Sequence, residues 1–436
     1  SEVIKRCHRV LLFLSSQQGI GEREAEMIWG ASLGKHESVQ KIVHELLCDM
    51  ARSQSLEVLG VLMRLMEPLK PSEYTLQHLD LLRALAFHLS DGGGVEGFEQ
   101  QYAGLELQWK LVQDDVRFSV PELHSICLKY FCETLETPEC REVRSSYFGY
   151  CVKNLRLHRS VPPSLVVMTR LLQATAAKRK RCEFGQGMFE GVHDQHELLD
   201  LVIADLVHLQ TTPFDGPIAT PRGGEAPRGD TNPDLEVGAD GVYTRLAHLD
   251  HRLNFLKTLL ELAKTEVSTG QVDTLWDTLT RLPATEQQRN RGFAWFEMSL
   301  QGASTREAMM PVAEHLFTNL LCKGDIAGQS EQGFTLFRFS MKFVNWRKGA
   351  FHESNEGDKQ GFVVKSFELI GTPELWEIAV GAANDAVATE ACIFLNELHQ
   401  SLSEALHHRV AEKREEFIAN CMRYMLQAAE GFAGEG

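Results

Sequence analysis

The sequence predicts an all-α fold, an armadillo- or HEAT-like α-solenoid of antiparallel helix pairs. Three observations predict it: apolar residues recur at helical spacing, helix-start signals return every ~15–25 residues, and the connectors between them are short and polar. The 436 residues exceed the roughly 250–300 at which a single core stops growing, so the chain is expected to be two or three domains or one elongated repeat array. No repeat consensus is legible, so the solenoid rests on rhythm, and a set of separate helical bundles is the alternative.

The elements can be justified in order. Ser1–Arg6 is amphipathic and lacks a signal-peptide core; the chain opens inside a helix without Met, as a fragment of something longer would. Val39, Ile42, Val43, Leu46, Leu47 and Met50 fall on one helical face. Leu123, Ile126, Cys127, Tyr130 and Phe131 do the same, as do Leu249, Leu253, Leu256 and Leu260, and Ala388, Ala391, Cys392, Leu395, Leu398 and Leu402. Ser119–Glu122 and Ser304–Glu307 read as capping boxes, Thr137-Pro138-Glu139 and Thr372-Pro373-Glu374 as N-cap plus proline, and Pro71-Ser72-Glu73 as a further start. Phe337, Phe339, Met341 and Phe343 alternate with polar residues as a strand would, yet Phe334, Phe337, Met341 and Val344 also form a helical stripe. A lone strand has no partner in an all-helical chain, so the segment is assigned to a helix.

Thr211–Val242, with five prolines and six glycines and little to bury, is expected to be a disordered loop. It divides the chain into an array over 1–210 and a second over 243–436. A shorter polar loop is expected from Arg347 to Gly361.

Composition narrows function. Forty-four basic against 60 acidic residues give −16, which argues against nucleic acid as the main partner and for proteins. No run approaches 18 apolar residues, so no membrane span is expected. The ten cysteines form no C-x-x-C pair, and most sit in apolar company, as at Cys48, Cys132 and Cys322. They read as reduced core thiols of the cytoplasm or nucleus.

Candidate chemistry is thin. His44-Glu45 lacks the second histidine of a zinc-protease helix and reads as a helix-face residue. His193–Glu197 could hold a metal or simply open a helix, the latter being the better reading; His407-His408 reads as solvent-facing. Neither Gly19-Ile20-Gly21 nor Gly92–Gly94 has a phosphate-cradle frame, and no G-x-S-x-G elbow occurs. The six tryptophans, Trp29, Trp109, Trp276, Trp295, Trp346 and Trp376, read mostly as packing anchors. No catalytic, cofactor or metal residue is assigned. The one dense basic run, Lys178, Arg179, Lys180 and Arg181, is a candidate interaction patch or nuclear-localisation signal, with a charged loop as the plainer reading.

Four stretches, in order from Ile28 to Leu402, carry a resemblance: Ile28–Leu47, Leu249–Leu256, Phe367–Trp376 and Ala391–Leu398. They are similar to the long non-catalytic region of the giant fat-facets-type ubiquitin carboxyl-terminal hydrolases. The resemblance implies an armadillo-like array preceding a ubiquitin-specific cysteine protease domain. That family's nucleophile lies in an Asn-x-Gly-x-Thr-Cys box, and no cysteine here follows a Thr, so no catalytic residue carries over. Two functions are therefore expected as alternatives. One is a non-catalytic scaffold segment of a large deubiquitinase, positioning substrates, adaptors or ubiquitin. The other is a free-standing helical-repeat adaptor unrelated to ubiquitin.

Overall fold

The computed structural model describes residues 2–18, 20–51, 54–91, 100–180, 182–184, 189–212, 242–283, 285–303, 310–324, 330–354 and 361–433. Contacts divide the chain into two compact units, Ser1–Thr265 and Glu266–Gly436.

The first unit holds α1 (Glu2–Gln18), α2 (Glu22–Gly30), α3 (Glu37–Ala51), α4 (Leu56–Met66), α5 (Leu76–Asp91), α6 (Ala103–Leu111), α7 (Glu122–Leu135), α8 (Arg144–Arg156), α9 (Val161–Arg179), α10 (Gln195–Thr211) and α11 (Arg245–Thr258). Odd-numbered helices pack on one another in a row: α1 on α3, then α5, α7, α9 and α11. In the second row α2 packs on α4 and α8 on α10, while sequence neighbours such as α4–α5 and α8–α9 join the rows. This two-row layering is that of a helical-repeat array, in which no helix pair can bury its apolar face alone. The predicted stripes supply the core: Val43, Leu46, Leu47 and Met50 of α3 are buried, as are Leu249, Leu253 and Leu256 of α11. Each such side chain contributes about 1.5–3 kcal/mol. Where α6 crosses α5, a Cβ on Gly104 would lie 2.5 Å from the Ala86 Cα, so only glycine allows the two backbones to meet there.

The second unit holds α12 (Thr269–Trp276), α13 (Glu286–Ala303), α14 (Met310–His315), α15 (Glu331–Arg347), β1 (Phe351–Ser354), β2 (Gly361–Val364), α16 (Thr372–Gly381), α17 (Asp385–Gln400) and α18 (Val410–Ala433). Here α13, α15 and α17 form one row, and α12 packs on α14. The ambiguous Phe337–Phe343 stretch lies within α15, with Phe334, Phe337, Met341 and Val344 buried, so the helical stripe wins over the alternation. Trp376 of α16 is buried against Phe417 and Tyr424 of α18, with ring centroids 4.9 and 5.9 Å away.

Several local expectations are corrected. The segment 347–361 is not simply a loop: its ends form an antiparallel hairpin, with Phe351 opposite Val364 and both buried. The hairpin supplies its own partner strand, and Val364 also exchanges backbone bonds with Ser401 and Ser403 at 2.7 and 2.9 Å. No Ser119 capping box forms; α7 starts at Glu122 behind Pro121 without a side-chain cap. Pro71–Glu73 and Pro138–Cys140 are single 3₁₀ turns, too short for a helix to propagate. Thr372 lies one residue inside α16, which is entered through Gly371 at φ +93°, against the Phe317 ring. Ser304–Glu307 lies outside the described residues, as do residues 213–241 of the expected loop. Beyond that loop, α11 packs on α9 and α10 and so belongs to the first unit. Among the described residues three helices end in a π turn, Leu259–Ala263, Asp277–Arg281 and Leu316–Leu321, which no spacing rule indicates.

Candidate interaction surface

The basic run ends α9. Lys178 and Arg179 occupy its last turn, where cations suit the helix dipole, and Lys180 turns the chain in the left-handed region at φ 58°. Arg181 lies outside the described residues. The chain then dives inward: Cys182 is buried and its amide donates to the Leu262 carbonyl at 3.3 Å. Because α8 and α9 are antiparallel neighbours, the end of α9 lies beside the start of α8. Arg144, in the first turn of α8, is clamped onto the end of α7, donating to the carbonyls of Leu135, Glu136 and Thr137 at 2.8, 2.6 and 2.6 Å. It thereby satisfies acceptors that the helix end leaves open.

Together these elements frame a cleft of about 680 Å³. Arg141, Arg144, Lys178 and Arg179 line it with a single carboxylate, Glu142, over an apolar wall of Leu171, Ala174 and Phe189. Phe189 is held by Phe148 and Phe184, each with centroids 4.6 Å away. Arg179 reaches Glu183 at 3.9 Å; among the described residues, the side chains of Arg141, Lys178 and Lys180 make no ion pair or hydrogen bond. The run thus supplies half of a site; the other half, Arg141 and Arg144, stands some thirty residues earlier on the far side of a turn.

The other candidates resolve plainly. Asp194 caps α10, accepting from the His196 and Glu197 amides, and Glu197 in turn accepts from the His193 amide at 2.8 Å; these bonds hold the Asp194 carboxyl below its ordinary range. His407 and His408 are exposed. Among the described residues no group of three or more His, Cys, Asp or Glu is placed to hold a metal ion, and no helix is long and apolar enough to cross a membrane. Trp346 departs from its expected core role, being 37 % exposed beneath the Arg347 guanidinium.

Five of the thiols are poor nucleophiles because burial disfavours the thiolate. Burial pushes Cys182 up to about 11, partly opposed by Arg179, and pushes Cys132 and Cys322 up to about 12. Cys127 and Cys151 are raised further, again by burial. Cys392, expected on a buried stripe, is exposed: the buried face of α17 is Val387, Ala391, Phe394, Leu395 and Leu398, one position round from Cys392.

Two buried polar clusters have no motif in the sequence. Asp205 of α10, fully buried, accepts from Arg252 Nε of α11 at 2.7 Å, and its other oxygen lies 2.6 Å from His158 Nδ1. The His158 ring stacks on His208 at 3.8 Å. In α3, His44 is not a surface residue: it is 1 % exposed, packed between Trp29 and His78, with neither ring nitrogen hydrogen-bonded among the described residues.

A family model describing the UBP24/USP9X/USP9Y ARM repeat matches residues 1–345. Curated relatives include the Drosophila melanogaster protein named probable ubiquitin carboxyl-terminal hydrolase FAF, 24% identical over 441 residues, and mouse ubiquitin carboxyl-terminal hydrolase 9X, 23% identical over 432. Each alignment covers 96% of this chain but only 15% and 16% of the relative. Human ubiquitin carboxyl-terminal hydrolase 24 aligns over 45% of the chain and 7% of its own length, at 27% identity.

Proposed function

The chain belongs to the UBP24/USP9X/USP9Y ARM-repeat family, and from that premise we propose that it is a non-catalytic, protein-binding scaffold segment of a large ubiquitin-specific cysteine protease. In this reading it positions substrates, adaptors or ubiquitin for a catalytic domain outside these residues, in the cytoplasm or nucleus. The observation that carries it is the state of the cysteines. The most electropositive of them, Cys182, is 1 % exposed and its thiol is pushed up, whereas a thiol nucleophile needs a lowered pKa and access for substrate. Stacked helices with exposed clefts are suited to binding extended partners. The test is incubation with a ubiquitin carrying a C-terminal electrophile, read by intact-mass spectrometry. No adduct is expected. An adduct at any cysteine, Cys182 above all, overturns the reading.

A further inference from the structure

Three features of the cleft between α8 and α9 need a common explanation. First, its charge opposes that of the chain. On a molecule of net charge −16, four of the cleft's lining residues are cationic and one is acidic. Exposed cations are normally interspersed with carboxylates; here the Arg141 and Lys178 side chains have no ion-pair partner among the described residues, and Glu142 is the one carboxylate in the lining. Second, the site is pre-set. Three carbonyls hold the Arg144 guanidinium in place through Nε and Nη2, with Nη1 unbonded among the described residues, so little side-chain freedom is lost when it meets an anion. Third, the wall is apolar: Leu171, Ala174 and Phe189 sit directly beside the cations.

We propose that this cleft docks an acidic peptide segment of a partner protein, its carboxylates meeting Arg141, Arg144, Lys178 and Arg179 while one apolar side chain seats on Leu171, Ala174 and Phe189. The inference rests on the reading of the chain as a protein-binding array and names the chemistry of one partner. Recognition of acidic motifs by clustered arginines and lysines is a general solution, because guanidinium groups bind carboxylates in two-point geometry. A nucleic acid would use the cations, but Glu142 on the rim and the acidic remainder of the chain would repel its backbone.

The test is a fluorescence-anisotropy titration of the full chain with a fluorescein-labelled peptide, Glu-Glu-Leu-Asp-Phe-Glu-Asp-Glu. Saturable binding is expected, weakening severalfold as salt rises from about 50 to about 200 mM, because exposed charges are screened. The double variant Arg141→Glu/Lys178→Glu should lower affinity about tenfold or more, since both residues are exposed. Circular dichroism and melting should be unchanged, because neither residue holds the fold. Replacing Leu and Phe of the peptide by Ser should also weaken binding. Absence of binding to the parent chain, or equal binding to the double variant, overturns the proposal. So does tighter, variant-sensitive binding of an oligothymidine of equal charge, which would make the cleft a nucleic-acid site. Peptide binding and the ubiquitin-probe result are independent: loss of the first leaves a scaffold that uses another surface, and an adduct in the second leaves the cleft intact.

Discussion

Two histidine clusters in the first unit are built from the same residue type and solve burial in opposite ways. In the Trp29–His44–His78 cluster no carboxylate bonds a ring among the described residues, Glu73 only weakly opposing the shift of His78 from a distance, and burial together with the neighbouring histidine drives His44 down to about 4. His78, whose Nδ1 takes the Thr75 amide at 3.2 Å, is likewise lowered to about 4 by burial. These rings behave as aromatic packing pieces that stay neutral. The Asp205 cluster instead commits to charge. Its carboxylate has no water to solvate it and is held by Arg252, which also donates to the His248 carbonyl at 2.8 Å. With one cation already in place, two nearby histidines are disfavoured as cations: His251 is lowered to about 4 by burial, His248 and Arg252, and His208 is lowered by burial and His158. The comparison teaches that a buried histidine takes its role from its neighbours. Without a counter-charge it is a hydrophobe with a pH liability; beside an ion pair it is a spacer that completes the pair's hydrogen bonds.

The comparison is broken most forcefully at Asp205. Asp205→Ala leaves Arg252, 4 % exposed, without its carboxylate, and should cost about 3–5 kcal/mol in urea unfolding of the first unit. A loss below about 1 kcal/mol would mean that water reaches the guanidinium and that the pair is not structural. A change of pH sharpens it next. The folded values of His44, His78 and His251 lie below the ordinary 6.5, so the unfolded chain takes up protons that the folded chain refuses. Their stabilisation is complete above about pH 6.5 and is lost as pH falls toward 4. Roughly 5 kcal/mol, a little under 2 for each of the three, should go between pH 7 and 5, and His44→Phe, which keeps the ring and removes the titration, should flatten part of that slope. An unaltered slope would place the liability elsewhere. The smallest effect is expected at the rim of the charged cluster. His158 is a third exposed, so His158→Ala should cost only about 1 kcal/mol at neutral pH. A cost approaching that of Asp205→Ala would make the whole network one unit.

The helices were legible because burial imposes a period, and a period survives in one dimension. The stripes of α3 and α11 lie in the core as the spacing predicts. Errors were local and had local causes. A proline after Thr promises a helix start, but whether a turn of three residues or a helix of ten follows depends on what the face can pack against; hence the 3₁₀ turn at Pro138 and the full helix at α16. On α17 the centre of the stripe, Ala391, Leu395 and Leu398, is buried as expected, but the face extends toward Val387 and Phe394 and leaves Cys392 at the surface.

What the sequence determined by itself was the class of fold, the family, and the lack of a thiol-protease box, since each rests on residues adjacent along the chain. What only the tertiary structure decided was everything assembled from separate helices. Arg141 and Arg144 meet Lys178 and Arg179 because α8 and α9 run antiparallel, and Asp205 meets Arg252 across α10 and α11 at a separation of 47 residues. A charge at one position carries no mark of the charge it will face. That pairing is set by which helices pack side by side, and packing is decided by the apolar faces and not by the polar groups that ride on them.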